Sequence, residues 1–122
     1  MDINALWKAI IEQQADILRT FFHTDAYINW HCTNEHFTVE EYIRANCENP
    51  GQWSGEIERV EYIDDLIILV GKIVSKDSDW SLHVVSFIRT KDNKIISMDE
   101  YYADDGQPPQ WRLDKNIGTE IR

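Results

Sequence analysis

Between Lys94 and Asp105 the chain runs KIISMDEYYADD, and two carboxylates and two tyrosines stand side by side there as Asp99-Glu100-Tyr101-Tyr102. Successive side chains of a β-strand point to opposite faces. Met98, Glu100 and Tyr102 then share one face, and Ile95, Ser97, Asp99 and Tyr101 share the other. Whichever face turns inward carries an acid into an apolar setting, where desolvation disfavours the charged form and raises the pKa. A carboxyl poised near neutrality suits general acid–base work, such as removing a proton next to a carbonyl. Glu100 is the leading candidate, with Tyr102 polarising a substrate beside it. Asp99 is the reserve, because a bulge would exchange the two faces. The structural alternative is that Glu100 pairs with Arg89 or Arg112 and only stabilises the mouth of a cavity.

Other residues invite chemistry less directly. His83 stands on a strand with Val85 and Phe87, where a neutral imidazole would relay a proton to Glu100; a satisfied core or interface histidine is the plainer reading. His31, Cys32 and His36 suggest zinc, but zinc ligands must converge, and a strand sends His31 and Cys32 to opposite faces. Asp104-Asp105-Gly106 lacks the spaced carboxylates of a calcium loop. The chain holds no Gly-x-Ser-x-Gly, no phosphate loop and no dinucleotide fingerprint. These observations argue against a metal, a cofactor or covalent catalysis. Trp30, Phe37, Tyr42, Trp53 and Tyr102 are the candidate aromatic wall of a cavity, with Asn34 offering a hydrogen bond at its rim.

The elements that must position these residues follow from periodicity. Ile3 to Phe22 reads as one amphipathic helix, with Leu6, Trp7, Ile10, Ile11 and Leu18 on its apolar face. Ala26 to Cys32 alternates as a short strand. Thr38 opens a second helix: Thr38 and Glu41 have capping-box spacing, Phe37 and Tyr42 that of a hydrophobic staple. Asn49-Pro50-Gly51 stops it. Four strands follow, Glu56–Ile63, Leu66–Ser75, Ser81–Thr90 and Lys94–Ala103, with links short enough for antiparallel hairpins. Leu66 to Val70 is apolar at every position, which predicts a strand covered on both faces, one by the core and one by a second subunit. The predicted architecture is α+β, a curved antiparallel sheet wrapped around N-terminal helices with a cone-shaped hollow between them.

Composition bounds the partners. The 122 residues fit one domain spanning 1–122, and 43% hydrophobic residues suffice for a core. A net charge of −10 lacks the basic footprint that nucleic acid or an acidic membrane requires. No leader-like or membrane-spanning run is legible, so the expectation is a cytoplasmic protein whose Cys32 and Cys47 are free thiols.

This order of elements resembles the nuclear-transport-factor-2-like fold, and in particular its SnoaL-like branch. The segment Ser97 to Arg112, with Asp99-Glu100-Tyr101-Tyr102, Asp104-Asp105-Gly106, Pro108 and Trp111-Arg112, looks like the tail of an uncharacterised bacterial subgroup. Trp30 to Phe37 is similar to its pocket-rim segment. The last two strands also resemble the ketosteroid-isomerase branch. Matching Val84-Val85-Ser86-Phe87-Ile88 to its penultimate strand puts Ser86 where that branch has a key acid, and a serine cannot ionise, which counts against steroid isomerisation. The same match turns Ser86, Met98, Glu100 and Tyr102 toward the cavity and His83 outward.

Three functions remain open: a cavity that binds a small, mostly apolar ligand; a cofactor-free isomerase, cyclase or dehydratase using Glu100; and a non-catalytic module that dimerises through its outer sheet face. An unpaired Glu100 favours the enzyme, an arginine pair favours structure, and a cavity filled by its own rings favours the dimerisation module.

Overall fold

A computed structural model describes residues 1–121. Helix α1 (Ile3–Ile11) is capped by the Asp2 carboxylate, which accepts from the Ala5 amide at 3.0 Å, satisfying an otherwise unpaired first-turn donor. The predicted single N-terminal helix is two. Gln13 adopts φ 55°, a left-handed conformation that interrupts helix, and α2 (Ala15–Arg19) follows. The Gln13 side chain donates to the backbone carbonyls of Asn46 and Asn49, each at 2.9 Å. The break thus ties the first helical segment to the far end of a later helix.

Strand β1 (Phe22–Trp30) begins four residues before its predicted start at Ala26. A 3₁₀ turn at His31–Thr33 leads into β2 (Glu35–Thr38), which the sequence reading missed. The capping box forms as predicted: Thr38 Oγ1 accepts from the Glu41 amide, Glu41 accepts from the Thr38 amide, and α3 (Val39–Cys47) follows. The long strands β3 (Trp53–Ile63), β4 (Leu66–Ser75), β5 (Ser81–Lys91) and β6 (Lys94–Asp104) match their predicted spans to within three residues, and a short α4 (Gln110–Asp114) follows them. Asp92 and Asn93 both take positive φ in the β5–β6 link, the conformation whose twist matches a two-residue hairpin.

The six strands form one curved, open sheet in the order β2-β1-β6-β5-β4-β3. The sheet is mixed, not wholly antiparallel, because β1 runs parallel to β6. Hairpin length dictates the direction of consecutive strands. It is silent about two strands separated by most of the chain, and that pairing is the parallel one.

The helices lie in the concave face, α1 touching β3 and α3 touching β1. Leu6, Leu18, Ile28, Leu69, Ile88, Ile95 and Met98 are fully buried between them and the sheet. Ile95 is expected from strict alternation on the face of Asp99, but a register shift between Ile95 and Ser97 turns it into the core. Two strand glycines let α1 come this close. A Cβ on Gly71 would lie 2.2 Å from the Trp7 ring, and one on Gly55 would lie 2.8 Å from Ile11 Cδ1. Along β4, Ile67 and Leu69 are buried in the concave face, while Leu66, Ile68 and Val70 are half-buried on the convex one.

Candidate functional site

Glu100 sits near the middle of β6, flanked by Trp30 on β1 and Ser86 on β5 at the same level of the sheet. Cross-strand partners point to the same face, so these three side chains meet inside the concave face. Trp30 Nε1 donates to Glu100 Oε1 at 3.0 Å, and Ser86 Oγ donates to Oε2 at 2.5 Å. Glu100 is only 6% exposed. No cationic side chain pairs with it among the described residues. Arg89 bridges to Asp65 at 3.2 Å, and Arg112 lies over the Trp111 ring. The expected structural alternative, an arginine clamp on Glu100, is therefore absent from this arrangement.

Burial raises the Glu100 pKa above the ordinary glutamate value; the hydrogen bonds from Ser86 and then Trp30 pull the other way without cancelling it. Burial also lifts the phenols of Tyr42 and Tyr102, and the nearby Glu100 charge adds to the effect. Both tyrosines thus stay neutral as donors. Neither hydroxyl has a hydrogen-bond partner among the described residues.

These groups face a hollow of about 250 Å³ between α1, α3 and the sheet. Its wall takes in Trp30, Tyr42, Trp53, Ser86, Met98, Glu100 and Tyr102 from the predicted set. Trp30 stands nearly perpendicular to Tyr42 (84°) and to Tyr102 (73°), and Trp53 meets Trp80 at 72°. Trp7, Trp80, Asn46 and Asp104 also line the hollow, and the sequence assigns none of them to a cavity. Asp104 was within reach of the reading, since it continues the alternation of Met98, Glu100 and Tyr102. Trp7 was hidden among the core residues of its helix stripe, and Trp80 lies in a link with no periodicity. The buried indole N–H groups of Trp7 and Trp53 have no acceptor among the described residues.

The remaining predicted residues lie elsewhere. His83 is on the convex face, where Nε2 meets Glu58 at 3.1 Å and Nδ1 meets Asp105. A proton relay from His83 to Glu100 is therefore ruled out by the sheet between them. Strand alternation holds through Leu82, which is buried on the concave side, so no bulge reverses His83. Asn34 ends the 3₁₀ turn in a left-handed conformation, exposed and outside the cavity wall. Phe37 packs behind the wall, edge-on to Trp30 at 4.7 Å between centroids.

Asp99 faces outward. Burial raises its pKa, but hydrogen bonds from Asn29 (3.0 Å) and His31 (2.7 Å) outweigh that and hold it below the usual value. His31 in turn stacks on Tyr101 at 4.4 Å, Cys32 Sγ donates to the Tyr102 carbonyl, and His36 bonds Asn29. The candidate zinc ligands thus each have a separate partner. Cys32 and Cys47 are free. No described helix is long and apolar enough to cross a membrane.

Comparison with known proteins gives no matching family model and no matching curated protein. Solved structures do match. A nuclear-transport-factor-2-like protein of unknown function from Burkholderia xenovorans superposes with a TM-score of 0.80 at 20% identity, covering 98% of this chain and 92% of its own. A ketosteroid isomerase candidate from Kribbella flavida superposes with a TM-score of 0.81 at 16% identity, covering 98% and 87%. A candidate SnoaL-like polyketide cyclase from Shewanella putrefaciens gives 0.69 at 14% identity, over 82% and 85%. The sheet order, the helices in its concave face and these superpositions agree: the chain has the nuclear-transport-factor-2-like α+β fold.

Proposed function

We propose that this protein binds a small, mostly apolar ligand in the conical cavity, with Glu100 and the free hydroxyls of Tyr42 and Tyr102 as its polar contacts. The observation that carries this reading is a mostly apolar hollow that its own aromatic rings leave open, with a buried carboxyl facing it. A volume of about 250 Å³ lies just below the usual range for small-molecule sites, about 300–1,000 Å³, so the ligand is compact. Calorimetry with cyclohexanol as a neutral probe tests it. Binding with a negative heat-capacity change, lost when Ala45→Trp fills the hollow, supports the reading. No heat from the unmodified protein overturns it.

The unpaired state of Glu100 favours a second reading, a cofactor-free isomerase or lyase in which Glu100 moves a proton next to a carbonyl and Tyr102 or Tyr42 hydrogen-bonds the carbonyl oxygen. The probe is cyclohexanone in heavy water. Faster deuterium exchange next to the carbonyl with the protein than with Glu100→Gln supports catalysis; equal rates leave binding alone.

Assembly belongs to the same proposal. Leu66, Ile68 and Val70 on the convex face lie beside Phe87 and the 44%-exposed Tyr101, and an apolar sheet face of this kind favours a homodimer. Free cysteines favour a reducing, cytoplasmic setting.

A further inference from the structure

The cavity wall has an unusual charge balance. Four of the five tryptophans in the chain line it, with Tyr42 and Tyr102. Its ionisable groups besides those phenols are two carboxylates, Glu100 deep inside and Asp104 toward the exposed end, and no lysine, arginine or histidine belongs to it. The face of an aromatic ring carries negative potential, and perpendicular rings around an acid form the enclosure that recognises quaternary ammonium groups. Both Glu100 oxygens accept hydrogen bonds, from Trp30 and Ser86, which fix the carboxyl in place and offset part of what burial costs its charged form. Among the described residues, no side chain supplies a countercharge.

We infer that the ligand of this cavity is a small organic cation, a methylated or alkylated ammonium whose charge sits against Glu100 and whose apolar shell packs on Trp30, Tyr42 and Tyr102. The inference rests on the cavity being the ligand site and adds the ligand's charge. A cation completes the ion pair that Glu100 lacks. Its bulky, weakly hydrated shell loses little on leaving water, unlike a primary ammonium, and it satisfies the apolar wall that a metal ion would not. An anion would face two carboxylates in a low-dielectric hollow and is rejected. The net charge of −10 on the chain also steers a cation toward the opening.

The test compares choline with 3,3-dimethylbutan-1-ol, which has the same shape with carbon in place of the charged nitrogen. Both are titrated calorimetrically into the unmodified protein at a pH where Glu100 is ionised. The expected result is that choline binds about tenfold more tightly than the neutral alcohol. In Glu100→Gln, checked for folding by its thermal melt, that ratio should fall to about one. Equal binding of the two probes, or tighter binding of the alcohol, overturns the cation inference and leaves the apolar cavity standing. Binding of neither overturns both. A choline preference that persists in Glu100→Gln assigns the charge recognition elsewhere and also overturns the inference.

Discussion

A single residue, Glu100, holds the clearest thermodynamic signature. Its pKa is raised in the folded state by burial, so the folded protein binds this proton more tightly than the unfolded chain does. The contribution of Glu100 is therefore fully favourable below the ordinary glutamate pKa and is lost as pH rises through the raised value. Each unit of difference corresponds to about 1.4 kcal/mol. Glu100→Gln should melt at the same temperature as the unmodified protein in acid and at a higher one in mild alkali. The glutamine can keep both contacts, its oxygen accepting from Trp30 and its amide donating to a rotated Ser86. Destabilisation by Glu100→Gln at all pH values would show that a paired carboxylate supports the fold. Ser86→Ala removes a donor that lowers the Glu100 pKa. It should raise the carboxyl titration midpoint followed by NMR and cost about 1 kcal/mol in denaturant unfolding. An unchanged midpoint would contradict the hydrogen-bond assignment. The alternation around Glu100 was legible in the sequence, and so were the shared faces of Met98 and Tyr102. The partners Trp30 and Ser86 were placed in the cavity, but their hydrogen bonds were not legible, because they depend on the register of β1 and β5 against β6.

Elements hold this residue in place through close docking of α1. Trp7 lies directly over Gly71, with no room for a side chain on β4 there. Gly71→Ala should push the indole out and lower stability by about 1–3 kcal/mol, with a matching loss of cyclohexanol binding since Trp7 forms part of the wall. A melt unchanged by this substitution would mean that α1 is not seated as described. The α3 start was readable from Thr38, Glu41, Phe37 and Tyr42, because a capping box is written in local spacing. The break between α1 and α2 was not, since Gln13 has no sequence signature of a left-handed residue and is held by the distant carbonyls of Asn46 and Asn49. The parallel pairing of β1 with β6 was hidden for the same reason. The helix that ends at Cys47 and the hairpins of β3 to β6 intervene, and local turn chemistry says nothing across such a separation. His83 falls outside the site because the register of β5, unbroken from Leu82 to Arg89, turns it to the convex face.

At the scale of the whole molecule, the curved sheet divides two environments. The concave side gathers aromatic rings around an unpaired acid. The convex side carries half-exposed apolar residues and a polar network through Asn29, His31, Asp99 and Tyr101. The proposed homodimer should give twice the 14.4 kDa chain mass by light scattering. Phe87→Asp, which sets a charge in that face, should return the mass to one chain while leaving cavity binding in place. A monomeric unmodified protein would remove the dimer without touching the cavity. The cavity itself has a built-in control in the distribution of tryptophans. Trp7, Trp30, Trp53 and Trp80 line it, whereas Trp111 is 58% exposed on α4 and outside it. The indole N–H signals of all five, followed by NMR during titration with cyclohexanol, test the ligand-site reading directly. Saturable shifts at the four cavity indoles, with Trp111 unmoved, are the predicted result. Shifts at Trp111 alone, or none at Trp30 beside Glu100, would contradict it.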